Sequence, residues 1–169
     1  NLLDLQLPEK IGDILANCGL DAEFLELEIT ESSIIADPDR SLNVLKRLHD
    51  IGIQISIDDF GTGYSSLAYL QKLPVDSLKI DRSFVMAASP ETEGHSIISS
   101  IIGLAHNLRL SVTAEGVEND ASLRLLRYLN CDYAQGYYIS RPLAADEALA
   151  WLQEHSTWAS PRQATPTTE

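Results

Sequence analysis

Five strand-like segments, each followed by a helix-like segment, constrain the fold of this chain most. The strand-like segments span residues 24–30, 54–58, 77–81, 111–116 and 133–139. A further helix, with Pro8 in its first turn and Gly19 at its end, precedes them. Asp37 before Pro38 and Gly52 at the end mark the first helix between strands, and Ser89 before Pro90 and Asn119 mark the starts of two later helices. Short alternating strands and helices are typical of parallel βα units, so the sequence predicts an α/β fold.

In each predicted strand the polar residues share one alternating phase, opposite to the branched apolar residues. They are Glu26, Glu28 and Thr30, then Ser56 and Asp58, Lys79 and Asp81, Thr113 and Glu115, and Gln135. An open sheet covered on both faces would need apolar residues in both phases, whereas a barrel holds polar residues at its carboxyl-terminal mouth. A (βα)8 barrel needs roughly 200–250 residues, so the 169 residues are expected to supply its last five units, after about three earlier strands.

Charge and cysteine content exclude several classes of function. Twelve Lys and Arg against 25 Asp and Glu give a formal charge of -13, which argues against nucleic acid or an anionic membrane as the main partner. An anionic substrate would need cations as intermediaries. Cys18 and Cys131 lack the pattern of a disulfide framework or zinc site and are predicted to be reduced. The sequence shows no signal peptide and no apolar run near the roughly 20 residues of a membrane span.

The segment Asp58–Asp59 follows an apolar strand and precedes a loop that contains Gly61 and Gly63. Two adjacent carboxylates repel each other unless a cation or a proton lies between them. Hard divalent cations such as Mg2+ and Mn2+ prefer oxygen ligands of this kind. On this stretch alone a helix N-terminus or a turn remains an alternative, because both also favour Asp.

The ends of the five predicted strands supply polar groups that would converge in a barrel. These are Glu28, Asp58, Asp59, Lys79, Glu115 and Gln135. Converging carboxylates with one lysine indicate a two-metal site for phosphoester hydrolysis. Taken singly, Glu28 could cap a helix, Lys79 could neutralise a carboxylate, and Gln135 could be a core amide. Their shared phase favours the site, whereas the four histidines lack ligand spacing and are interpreted as surface or packing residues.

Five motifs then occur in order along the chain. They are LEITES at 27–32, IDDFGTGYSS at 57–66, KIDRSF at 79–84, AEGVE at 114–118 and AQGY at 134–137. From the first strand to Pro142 the chain resembles the EAL family of bacterial cyclic di-GMP phosphodiesterases. The resemblance implies a TIM-like (βα)8 barrel that hydrolyses cyclic di-GMP to linear pGpG with two Mg2+ or Mn2+ ions. Residues 1–155 would form the C-terminal part of the domain, and residues 156–169, rich in Thr, Ser and Pro, a disordered tail.

The resemblance also implies individual roles. Glu28 would bind one metal, Asp58 would bridge both, and Asp59 and Glu115 would bind the second. Lys79 would orient or help to deprotonate the hydrolytic water. The same comparison implies that Gln135 belongs to this water network and that Glu31 holds the loop of residues 58–66, so the expected catalytic set is Lys79, Glu115, Gln135 and Glu31.

Partners follow from the same resemblance. A homodimer through the loop region Asp58–Ser66 is expected, as are upstream sensor or cyclase domains, in a cytoplasmic protein or the cytoplasmic domain of a membrane-anchored one. The Glu-Ala-Leu signature and a metal-binding Asn are expected upstream, and Asn1 is interpreted as a loop residue. The metal site is therefore expected to be incomplete in this chain. The alternative function is a catalytically inactive cyclic di-GMP receptor, but the presence of Glu28, Asp58, Asp59, Lys79 and Glu115 favours the enzyme.

Overall fold

The computed structural model describes residues 2–61, 67–88 and 93–155. Its sheet has five parallel strands in the order of the chain. The strands are β1 (Glu26–Thr30), β2 (Gln54–Phe60), β3 (Ser77–Ile80), β4 (Ser111–Ala114) and β5 (Tyr133–Ala134). Parallel strands in sequential order are the arrangement of consecutive units in a (βα)8 barrel, so the predicted fold class is confirmed.

Helices connect the strands, and their ends follow from local capping. They are α1 (Leu7–Cys18), α2 (Glu31–Ile35), α3 (Pro38–Ile51), α4 (Leu67–Leu70), α5 (Arg82–Ala87), α6 (Glu93–Asn107), α7 (Asp120–Tyr128) and α8 (Ala145–Glu154). The side chains of Asp37 and Asn119 accept backbone N–H bonds at the starts of α3 and α7. Gly19 and Gly52 end α1 and α3 in the left-handed conformation. The predicted ends of α1 and α3 and the predicted starts of α3 and α7 are therefore confirmed.

The apolar phase of the strands packs against the helices in two clusters. One includes Leu45, Leu48 and Ile55, and the other includes Ile98 and Val112, all of which are almost completely buried. The sheet and these clusters belong to a compact unit of residues 1–139, and α8 lies in a second unit of residues 140–169. Within the described ranges, no helix has both the length and the apolar character needed to span a membrane.

The fifth strand is shorter than predicted, because it ends at Ala134 instead of Ile139. A Cβ atom on Gly136 would lie 2.2 Å from the Val117 carbonyl oxygen, so only glycine allows this close approach. Val117 donates its N–H to Gln135 and accepts the N–H of Tyr138. The loop after β4 therefore occupies backbone donors and acceptors that a longer β5 would need for strand pairing.

Two short helices, α2 and α5, were not predicted. Asp81 caps α5 by accepting the N–H of Ser83 at 3.0 Å, so it does not belong to β3 as predicted. The first strand begins at Glu26 instead of Phe24. Phe24 is the last residue of the 3-10 helix Ala22–Phe24, and Leu25 links that helix to the strand. The predicted start of α6 at Ser89 and the predicted disordered tail at residues 156–169 lie outside the described residues.

Candidate active site

The carboxyl ends of β1 to β4 bring four of the predicted site residues together, three carboxylates around one lysine. Lys79 Nζ lies 2.6 Å from Glu28 Oε1, 2.5 Å from Glu115 Oε1 and 3.7 Å from Asp58 Oδ1. The Lys79 side chain is 10% exposed, whereas that of Glu28 is 50% exposed. Three carboxylates thus converge on a nearly buried cation at a mouth that solvent reaches.

Strand register explains this convergence. Glu28 pairs with Ser56, two residues before Asp58, and Lys79 pairs with Thr113, two residues before Glu115. Since residues two apart on a strand project to the same face of a sheet, all the charged groups lie on one face. The alternating pattern in the sequence therefore predicts the convergence correctly.

A β-bulge explains how two adjacent aspartates both reach the end of β2. Ile57 pairs with Leu78, but the next pair joins Phe60 to Ile80, so β2 has one residue more than β3 at this point. Asp59 has a φ of 54°, in the left-handed region. The aspartates thus lie within a strand that continues to Phe60, which excludes a helix N-terminus or an ordinary turn at this position.

The charges at the mouth shift the pKa values of two site residues. The negative charge of Asp58 is the main reason that the pKa of Asp59 is raised, with smaller contributions from burial and from Asp81. Burial by itself lowers the pKa of Lys79, but hydrogen bonds to Glu115 and Glu28 outweigh it and raise the pKa above its ordinary value. Lys79 is therefore held as an ammonium ion, while the charge of its neighbour makes Asp59 harder to ionise.

Sequence reasoning missed Asp81 as a member of this group. Its carboxyl group raises the pKa of Asp59 through its charge and a side-chain hydrogen bond. The pKa of Asp81 itself is lowered, chiefly by its hydrogen bond with the Ser83 side chain. The available signal was its position two residues after Lys79 in the same polar phase.

Gln135 and Glu31 follow directly after β5 and β1, at the same end of the sheet as Lys79. Gln135 follows β5 and lines a cavity of 180 Å³ together with Glu115, Arg82 and Tyr137. Glu31 begins α2 directly after β1 and is 4% exposed. Of the loop that Glu31 is predicted to hold, residues 62–66 lie outside the described residues.

The donor set suits hard divalent cations. In the part of the chain that the structure describes, no group of three or more His, Cys, Asp or Glu side chains is already arranged to hold a metal ion. The carboxylates surround Lys79 instead. Mutual repulsion between Asp58 and Asp59 raises the pKa of Asp59, and a divalent cation between their oxygens would remove that repulsion. The residues present therefore fit a Mg2+ or Mn2+ site.

Comparison with known proteins finds a match along most of the chain. The family model described as EAL domain matches residues 1–142. The cyclic di-GMP phosphodiesterase NbdA of Pseudomonas aeruginosa is 44% identical over 161 residues, which cover 95% of this chain and 21% of NbdA. The bifunctional diguanylate cyclase/cyclic di-GMP phosphodiesterase MucR of the same organism is 42% identical over 85% of this chain and 21% of MucR. The chain thus spans about a fifth of the length of these relatives.

Solved structures agree with the sequence comparison. The MucR phosphodiesterase in complex with c-di-GMP superposes with a TM-score of 0.83 at 40% identity, over 87% of this chain and 60% of that one. Klebsiella pneumoniae BlrP1, in a complex with manganese and c-di-GMP at pH 9.0, gives a TM-score of 0.76 at 31% identity, over 82% of this chain and 36% of that one. These likenesses confirm the barrel-type α/β fold.

Proposed function

Because the chain belongs to the EAL domain family, we propose that it hydrolyses cyclic di-GMP to linear pGpG in a metal-dependent reaction. The observation that carries this proposal is the convergence of Glu28, Asp58 and Glu115 on Lys79 at the carboxyl end of a parallel sheet. In a (βα)8 barrel this is the end at which active sites lie. The relatives' names and their complexes with c-di-GMP support the choice of substrate.

Four carboxylates of the site would hold two divalent cations: Glu28 one ion, Asp58 both ions, and Asp59 and Glu115 the second ion. When bound, the ions would activate a water molecule and neutralise charge on the scissile phosphate. The manganese in the BlrP1 complex supports the use of a divalent cation. Mg2+ is the other candidate, because it prefers the same oxygen donors.

Lys79 is proposed to orient the hydrolytic water or to help to deprotonate it. Its Nζ lies 2.6 Å from Glu28 Oε1 and 2.5 Å from Glu115 Oε1, which belong to the carboxylates proposed to hold the ions, and its ammonium group can donate hydrogen bonds. Gln135, which borders the cavity beside Glu115, is proposed to extend the same hydrogen-bond network. Glu31 is proposed to hold the loop of residues 58–66 without binding a metal ion itself, since it is buried directly after β1.

The partners of the domain belong to the same proposal. The names of relatives such as MucR, and the fifth of their length that the chain spans, support upstream cyclase or sensor domains. A homodimer through the loop region Asp58–Ser66 would couple the partner subunit to the metal ligands on β2. We propose that the domain acts in the cytoplasm, where it would encounter cyclic di-GMP.

The test is conversion of cyclic di-GMP by the protein at its natural length, followed by chromatography of the product. We expect pGpG to form with Mn2+ or Mg2+ and not with excess chelator. Glu115→Gln, which removes one carboxylate of the cluster, should abolish product formation. Glu23→Gln, the same change at an exposed residue remote from this mouth, should have no effect. Tight binding of cyclic di-GMP without hydrolysis under every metal condition would favour the receptor alternative and overturn the proposal.

A further inference from the structure

Asp76, which immediately precedes β3, binds the backbone of the neighbouring strand. Its Oδ2 atom accepts the N–H of Ile55 at 2.9 Å, and its own N–H donates to the Ile55 carbonyl at 2.9 Å. His49, in the last turn of α3, lies 3.8 Å from Asp76 Oδ1. We call His49, Ile55 and Asp76 the first strand clamp.

The same arrangement recurs two strands later. Asp132, which immediately precedes β5, accepts the N–H of Val112 at 2.9 Å through Oδ2. The same oxygen lies 2.8 Å from Nε2 of His106, in the last turn of α6. The Cys131 thiol donates to the Val112 carbonyl at 3.6 Å. We call His106, Val112 and Asp132 the second strand clamp.

The two clamps stand at matching distances from the site residues. Ile55 lies three residues before Asp58, and Val112 lies three residues before Glu115. On the opposing strands, Asp76 precedes Lys79 by three residues, and Asp132 precedes Gln135 by three residues. At about 3.3 Å per residue, each clamp lies roughly 10 Å below the groups at the mouth. Each therefore joins two strands that both carry a site residue.

We propose that Asp76 and Asp132 are positioning residues that set the relative height of the site side chains on paired strands. The first clamp would fix Asp58 against Lys79, and the second would fix Glu115 against Gln135. This inference rests on the proposed function, because it assigns the purpose of the register to catalysis. Each aspartate lies three residues before the site residue on its own strand, roughly 10 Å from the mouth, so each would act through the strands.

Strand pairing and burial together still leave one kind of register error open. Burial of the apolar phase disfavours a slip of one residue, which would move every side chain to the other face, but a slip of two residues keeps each side chain on its face and exchanges one set of backbone hydrogen bonds for another. A carboxylate that bonds one particular N–H singles out one register, and a charged acceptor makes that bond stronger than a neutral one. The need for a fixed register is greatest in β2, because the bulge after Ile57 shifts the pairing of β2 with β3 by one residue.

The clamps differ in strength. The Asp132 side chain is 15% exposed, whereas that of Asp76 is 32% exposed. Asp76 also keeps its backbone bonds to Ile55 and Ser111 if its side chain is removed. Since a misplacement of about 1 Å can cost on the order of 100-fold in rate, we expect Asp132→Ala to lower kcat by about that factor with little change in KM. Asp76→Ala should lower kcat by roughly tenfold, the lower end of the effect expected when a residue that supports a site group is removed.

The experiment measures kcat, KM and the unfolding midpoint for each variant of the protein at its natural length, with rates taken where the variant is fully folded. Asp132→Asn retains an oxygen that can accept the Val112 N–H, so it should recover most of the kcat that Asp132→Ala loses. Asp120→Ala serves as the matched control, because it breaks an exposed ion pair with Arg124 of 2.7 Å and should change nothing. If Asp132→Ala does not fold, Asp76→Ala decides the question.

Crystal structures of the variants give a readout that does not depend on turnover. In Asp132→Ala we expect the contact of 2.5 Å between Lys79 and Glu115 to lengthen. A folded Asp132→Ala with parental kcat and an unmoved Glu115 would overturn the clamp proposal. A parent protein that fails to hydrolyse cyclic di-GMP would overturn the proposed function alone, and the displacement of Glu115 would still decide the clamp.

Discussion

The two ends of the sheet carry polar residues in the same phase but differ in the charge that they gather. At the carboxyl end, three carboxylates surround the Lys79 ammonium group. At the amino end, Glu26 accepts a hydrogen bond of 2.8 Å from the Ser77 hydroxyl, beside a cavity of 390 Å³ that Gln54 also lines. Two carboxylates, those of Glu23 and Glu26, line this cavity, but the Glu26 carboxylate has a neutral partner, and no lysine lies among the lining residues.

This difference shows that polar residues along one face of a sheet do not by themselves indicate a functional site. Polar residues along one face indicate only that the face is not packed against helices. The carboxyl end additionally concentrates like charges, which raises the pKa of Asp59 and holds Lys79 charged. Perturbed titration from neighbouring charges is characteristic of functional sites. The carboxyl end should therefore be sensitive to loss of charge, and the amino end should not.

The largest expected effect is that of Asp58→Asn. A neutral amide cannot replace a carboxylate that bridges two metal ions, so we expect cyclic di-GMP hydrolysis to fall by at least about 1,000-fold while the fold stays intact. The measurements are pGpG production and the circular dichroism spectrum. Near-parental turnover in this variant would rule out the two-metal assignment.

Lys79→Ala should have the next largest effect. Loss of the group that is proposed to act on the hydrolytic water should reduce kcat by on the order of 100-fold. Binding of cyclic di-GMP should stay measurable by calorimetry, because Lys79 serves the water more than the nucleotide. Lys72→Ala, at an exposed residue, is the control. An equal loss of binding and turnover would instead identify Lys79 as a substrate anchor.

Glu31→Ala should weaken metal binding without removing a direct ligand. The buried Glu31 follows β1 at the residue after Thr30, which pairs with Asp58. We expect the affinity for Mn2+ to decrease by roughly tenfold, within the range for residues that support metal ligands. Sedimentation should also show altered dimerisation. If both properties match the parent, Glu31 serves only to begin α2.

The smallest effect is expected at the amino end of the sheet. In Glu26→Gln the Ser77 hydroxyl still finds an oxygen acceptor, and Glu26 is exposed. We expect the free energy of unfolding to change by less than about 0.5 kcal/mol and turnover to be unchanged. A loss of turnover near that of Lys79→Ala would show that the two ends do not differ in function.

Local patterns in the sequence predict much of this architecture. Asp37, Gly52 and Asn119 place helix ends because capping depends on residues next to one another. The polar phase of the strands predicts that Glu28, Lys79 and Glu115 share a face, because alternation is a property of the strand itself. Their assignment as metal ligands and catalytic groups stays a prediction, which the experiments above test.

Other features depend on contacts between distant parts of the chain. The residues from Gln135 to Ile139 have strand-like composition, but the close approach of Gly136 to Val117 ends β5 early. The extra residue of β2 can be recognised only from the pairing of β2 with β3 in the folded structure. His49 and His106 carry no ligand spacing, and their aspartate partners are apparent only from the folded positions.

The left-handed backbone at Asp59 has a consequence for variants at that position. Only Gly, Asn and Asp adopt a φ near 54° readily, and other residues lose roughly 1–2 kcal/mol there. A change to Asn or Gly would remove the charge and spare the conformation. A change to Val or Ile would disturb both together. Natural variants at position 59 should therefore fall into two classes: folded proteins that lack one carboxylate, and proteins of lowered abundance. Replacement by Asn is the change that would remove the charge of Asp59 and keep the backbone conformation.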